Sequence, residues 1–161
     1  MSGASDEVLG IAAERLASSV EDIMRTSVPL MAEIGIEVVE ARRGYVKTRL
    51  PWDPRNGNHI GTVYAGALFS FLESSGGALV LVSFDVTRWI PVVVEATIRY
   101  ARPVTGAVDC EMRLSEDDVA AIQDALARDP KHRWTFTAAA VAEDGRTACE
   151  AELVYRFRSI G

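Results

Sequence analysis

Glu73 is the residue that most plainly asks for a chemical explanation. It sits inside the run from Val63 to Val82, which is otherwise mostly apolar or small. A carboxylate there is costly unless it is paired or hydrogen-bonded. Such a residue either serves a function or is a partly exposed helix residue, or one that accepts structural hydrogen bonds. Gly66, Ser70, Glu73 and Gly77 follow at i, i+4, i+7 and i+11, which is one stripe of a helix. A glycine inside a helix costs about 0.8–1.0 kcal/mol relative to alanine. Gly66, Gly76 and Gly77 therefore imply a close approach to the backbone by a sheet, a partner helix or a ligand. Asn58, His59, Ile60, Gly61 and Thr62 lead straight into the start of this helix. Free N–H groups at a helix N-terminus favour negative charge, and such an end can stabilise an oxyanion.

The remaining elements must position these groups. Residues 5–28 read as a helix, with Val8, Ile11, Ala12, Leu16, Val20, Ile23 and Met24 at three- and four-residue steps. Met31 to Arg42 reads as extended and Gly44 to Leu50 as a second strand, with Arg43-Gly44 turning between them as a hairpin. Pro51 to Asn58 (PWDPRNGN) is a loop, and the central helix is expected over about 62–82. Pro91 to Arg102 alternates, placing Val92, Val94, Ala96, Ile98 and Tyr100 on one face. A strand over 107–114 follows. Then comes a helix over 116–128, opened by Ser115 and Asp118 at capping spacing. Trp134 to Glu143 and Thr147 to Arg158 are two further strands, joined by a strong hairpin signal at Asp144-Gly145. Hairpins without βαβ repeats predict an α+β fold, an antiparallel sheet with a helix on one face.

The chain has 161 residues, a length that suits a single domain. Residues 1–30 are expected to form a helical arm and 31–158 the core. A net charge of −6 argues against a dedicated nucleic-acid binder. Cys110 and Cys149 show no CxxC spacing and are expected as reduced core thiols, with no metal site. The first ten residues are acidic and lack a basic, then apolar, leader pattern. A cytoplasmic setting is expected. Val63 to Val82 is about as long as a bilayer span. Glu73 near its middle would cost about 2.5–3.5 kcal/mol on insertion scales, so a helix buried in protein is expected and no membrane insertion.

The run NHIGTVYAGALFSFLESSGG, Asn58 to Gly77, resembles the core motif of hotdog-fold acyl-CoA thioesterases. The branch it is most similar to is the PaaI-like group and its relatives, including the YiiD C-terminal domain type. The run TIRYARPVTG, Thr97 to Gly106, resembles the family's strand that ends in an aromatic, an Arg-Pro and a Gly turn. The resemblance covers about residues 30–158. It implies a sheet wrapped around the long central helix, with the N-terminal helix and the helix at 116–128 as additions. It also implies hydrolysis of an acyl-CoA thioester, with coenzyme A entering as part of the substrate and no separate cofactor.

Residue by residue, the resemblance puts Glu73 on the catalytic carboxylate, as general base or direct nucleophile, and Asn58 on the substrate-side Asn. Gly61 and Thr62 match the family's Gly-Thr, and Gly66 matches the last Gly of an HGG triplet. Ala65 stands on the position whose backbone N–H meets the thioester carbonyl. Three positions depart from the pattern: Tyr64 replaces the His, Ala65 replaces the first Gly, and Val93 stands where some members carry Ser or Thr. Tyr64 either donates to the carbonyl or acyl group or packs under the helix start. His59 is a loop histidine beside Asn58. Arg88, Arg99 and Arg102 are candidates for the coenzyme A phosphates. Ala65 and Glu73 are eight residues apart, about 12 Å along a helix, too far for one carbonyl to touch both. A homodimer with two composite sites, or a tetramer of such pairs, is what the resemblance implies.

Two other readings remain at this point. One is an acyl-CoA or lipid-binding module without turnover. The other is an acyl-thioester hydratase or dehydratase, which usually pairs a His with a carboxylate.

Overall fold

The computed structural model describes residues 2–160, with side chains described from Glu14 onward except Ser159. The order is α1 (Ser2–Ser27), α2 (Pro29–Ile34), β1 (Glu37–Arg42), β2 (Tyr45–Leu50), a 3-10 turn (Pro54–Asn56), α3 (Ala65–Ser83), β3 (Trp89–Tyr100), β4 (Val108–Arg113), α4 (Glu116–Arg128), β5 (Arg133–Ala142) and β6 (Thr147–Ser159). The six strands form one antiparallel sheet in the order β1-β2-β4-β5-β6-β3. The sheet wraps α3, whose Leu68, Phe71, Leu72, Ala78, Leu79 and Val80 enter the core. The fold is the α+β hotdog arrangement expected. The apolar stripe of α4, Val119, Ile122 and Leu126, joins the same core, and Ser115 and Asp118 close a reciprocal capping box at its start.

Burial explains why α3 holds its place although it is long and apolar enough to cross a membrane. A polar link adds direction: the hydroxyls of Thr48 on β2 and Ser75 on α3 lie 2.6 Å apart, and Ser75 Oγ also donates to the Phe71 carbonyl. The stripe Gly66, Ser70, Glu73 and Gly77 is the half-buried face that the sheet leaves uncovered.

Several expectations need correction. Residues 31–34, expected as the start of an extended segment, belong instead to the helix Pro29–Ile34. Pro29 sits at the first helical position and Gly35, at φ 74°, closes the turn in the left-handed conformation. The buried stripe of α1 is Ala17, Val20 and Met24, while Leu16 and Ile23 are exposed. Val8, Ile11 and Ala12 lie outside the described side chains. On β3 the simple alternation fails. A register shift between Val93 and Glu95 changes the parity of the strand. Val93 and Ile98 both pack on the core, and Val92 and Val94 are exposed. Cys110 and Cys149 are free buried thiols, as expected, and burial pushes both up to about 11. Trp89 and Trp134 pack against the core, whereas Trp52 is exposed.

α1 closes one edge of the sheet. Glu21 accepts from the Val38 N–H at 2.7 Å, and Arg25 donates to the Ile36 carbonyl at 3.0 Å. These side chains occupy backbone groups at the edge strand β1, where unpaired groups invite association. The opposite edge, β3, pairs only with β6. Its Ile90, Val92, Val94 and Tyr100 are exposed.

Candidate active site

The loop Asn58–Thr62 is a small structure of its own. The Asn58 side-chain carbonyl accepts from the N–H of Ile60 and of Thr62, both at 3.1 Å, and its amide donates to Thr62 Oγ1 at 2.8 Å. Gly61 takes φ 77°, which a side chain would resist. Asn58 therefore shapes the loop, and one amide N–H is left for a ligand. His59 and Ile60 stand exposed at the tip.

The loop delivers the chain to α3. Tyr64 is the N-cap, with no side-chain cap; its N–H donates to the Asn56 carbonyl and its carbonyl accepts from Ala67 and Leu68. The N–H groups of Ala65 and Gly66 have no partner among the described residues. They are the unpaired donors that a helix start provides. The Tyr64 ring lies against Gly66, where a Cβ would collide with it, yet remains largely exposed. Tyr100 fixes this end from the sheet side: its hydroxyl donates to the Ala65 carbonyl at 3.0 Å. Sequence reading placed Tyr100 on the strand but missed this contact. Asn58, Thr62, Ala65 and Tyr100 line one shallow depression.

Glu73 lies elsewhere, on the wall of a cavity shared with α1 and the start of β3. It has no ion-pair partner among the described residues, and burial raises its pKa. Tyr155, which no local pattern singles out, holds this turn of the helix. Its hydroxyl donates to the Glu73 carbonyl oxygen at 3.2 Å, in the space that Gly76 leaves. Burial also pushes the Tyr155 phenol up, and the Glu73 carboxylate adds to the effect. The two depressions share no lining residue. The single chain thus brings Asn58, Thr62 and Ala65 together and keeps Glu73 apart from them.

Of the candidate phosphate ligands, Arg102 is already engaged. It forms a two-pronged pair with Asp144 and donates to the carbonyls of Thr147 and Arg146. Arg99 opens onto the outer face of the sheet beside Glu111, Glu150 and Glu152. Arg88 is exposed just before β3. No cluster of metal-ligating side chains occurs among the described residues.

A family model described as Domain of unknown function (DUF4442) matches residues 17–156. Comparison with curated proteins finds no match. Among solved structures, PA5026 of Pseudomonas aeruginosa, a protein of unknown function named a probable thioesterase, is 31% identical at a TM-score of 0.82, over 89% of this chain and 95% of that one. A candidate thioesterase of Shewanella oneidensis aligns at 0.73 with 18% identity, over 92% of this chain and 99% of that one. A variant of the thioesterase PA1618 of Pseudomonas aeruginosa aligns at 0.68 with 16% identity, over 86% and 94%. The last two share the fold alone. With α3 wrapped by a six-stranded antiparallel sheet and the family model spanning all but the ends, the chain belongs to the DUF4442 family, within the hotdog-fold thioesterase superfamily.

Proposed function

We propose that this chain hydrolyses acyl-CoA thioesters to free acid and coenzyme A, at a site completed by a second copy of itself. The carrying observation is the division of labour along α3. A half-buried carboxylate with no ion-pair partner among the described residues lies eight and seven residues from the unpartnered N–H groups of Ala65 and Gly66 at the helix start. The coarser reading, a thioesterase-type hydrolase, is also supported by the likeness to PA5026.

In this mechanism the thioester carbonyl oxygen accepts from the Ala65 and Gly66 N–H groups of one copy. Glu73 of the other copy takes a proton from water as the water oxygen attacks the carbonyl carbon. The helix end stabilises the resulting oxyanion. Collapse breaks the C–S bond, and the proton held by Glu73 passes to the leaving sulfur. Thr62 and Gly61 hold the loop in shape through Asn58, which lines the same depression as Ala65 and has one amide N–H left to orient the substrate. The exposed ring of Tyr64 would border the acyl thioester. The covered edge at β1 and the bare apolar edge at β3 favour pairing through β3.

Free-thiol release from acyl-CoAs of graded length tests this reading. Saturable release that Glu73→Ala abolishes, in a protein that still folds and pairs, is the expected result. Turnover unchanged by Glu73→Ala would overturn it. The second reading is binding without turnover. It draws on the engagement of most of the Asn58 amide inside its own loop.

A further inference from the structure

Two of the three glycines in α3 are explained by neighbours within the protomer. A Cβ at Gly66 would strike the Tyr64 ring, and one at Gly76 would strike the Tyr155 hydroxyl. Gly77 has no such reason, since a Cβ there would meet nothing within 4 Å. It carries the cost of a helical glycine while facing an open space. That space is a cavity of about 380 Å³ between α1, α3 and the start of β3, lined by Met24, Met31, Leu81 and Trp89 among others, with Ile23 exposed at its rim. Ligand pockets run from ~300 to ~1,000 Å³.

The α3 wall of the cavity carries Glu73 and Ser74. Ser74 is 5% exposed, yet its hydroxyl has no hydrogen-bond partner among the described residues. Ser70 and Ser75 behave differently, each donating to the carbonyl four residues back. The Ser74 hydroxyl is not sealed inside the protein but remains accessible on the cavity lining, where it can meet a ligand or water. Beyond this wall the lining is mostly apolar, and the unbranched Met24 and Met31 can adapt to a flexible chain.

We infer that this cavity receives the aliphatic chain of the acyl group, with α1 as its outer wall and Gly77 setting its depth. The inference rests on the thioester reading. It names the substrate class, a flexible aliphatic acyl chain whose carbonyl end lies towards Glu73.

The test uses 1-hexanol, 1-octanol and 1-decanol as probes, titrated by calorimetry into the full chain. Neutral alcohols avoid repulsion by the Glu73 carboxylate. Affinity is expected to rise about fourfold per methylene until the cavity is full. Gly77→Leu should weaken 1-decanol at least tenfold without lowering the melting temperature. It should also move the acyl-CoA preference towards short chains. Ile23→Arg, at an exposed rim position, gives a second variant with the same expected weakening. No alcohol binding, or affinity indifferent to both variants, overturns the inference. So does dissociation of a dimer by Gly77→Leu without alcohol binding, since a second copy would then fill the space. Hydrolysis whose chain preference ignores both variants leaves the thioesterase reading standing and this one fallen. Alcohol binding lost in both variants, without turnover of any acyl-CoA, does the reverse: the apolar-chain site stands and hydrolysis falls.

Discussion

Glu73 carries two consequences with linked signs. Burial raises its pKa above the ordinary value of 4.5, so the folded state keeps this proton to higher pH than the unfolded chain does. Between the two values the folded state binds more protons, and stability falls as pH rises. The contribution is complete below the ordinary value and is lost as pH rises through the folded one. Glu73→Gln is neutral throughout. Its melting temperature should exceed that of wild type at about pH 8 and converge with it towards about pH 4. As a base, Glu73 must be ionised, so kcat/KM should climb with pH along a limb centred above the ordinary glutamate range. The Gln variant should lose roughly 10²–10⁴-fold in kcat. The adjacent glycines separate packing from propensity. Gly77→Ala adds a methyl that touches nothing and should stabilise by about 0.8–1.0 kcal/mol. Gly76→Ala drives a methyl into the Tyr155 hydroxyl and should destabilise, as thermal unfolding of the pair would read directly.

Among the elements, α1 is the one whose role only the folded chain discloses. Glu21 and Arg25 look from the sequence like a solvated i, i+4 pair, and they do form one at 3.1 Å. They also satisfy backbone groups at Val38 in β1 and at Ile36 just before it. Glu21→Ala should cost about 1.5–3 kcal/mol, the range for hydrogen bonds to charged groups, and should increase self-association through the uncovered edge. Chemical denaturation and light scattering would check the two parts. What was legible in the chain follows from periodicity and local chemistry. The strand pairs, the box at Ser115 and Asp118, the stripe Gly66–Gly77 and the isolation of Glu73 all depend on residues near one another in sequence. Pro29 and Gly35 also bracket a short helix in the chain, but six residues are too few to show a helical period. The shift near Val94, the Thr48–Ser75 link and the Tyr155 contact to Glu73 depend on which strand lies beside which helix. No local pattern encodes that.

On the scale of the whole molecule, the two halves of the proposed site lie on one helix but in separate depressions. Each protomer alone should therefore be inert, and a two-fold pair should hold two sites, each taking one half from each copy. Ala65→Pro isolates the oxyanion half with little disturbance. Proline is tolerated at the first helical position and removes only the N–H. The preceding Tyr64, at φ −64° and ψ 137°, already has the extended backbone that a following proline requires. Ala65→Pro and Glu73→Ala homodimers should both be inactive. When the two are unfolded together and refolded, half the dimers should be mixed. In each mixed dimer one site receives both lesions and the other receives neither. Activity should return to about a quarter of wild type under two-fold statistics. A site built within one protomer would leave the mixture as inactive as its parents, because every chain would still carry one lesion. Recovery on mixing, measured as thiol release, thus decides between a shared and a self-contained site without needing a structure of the dimer.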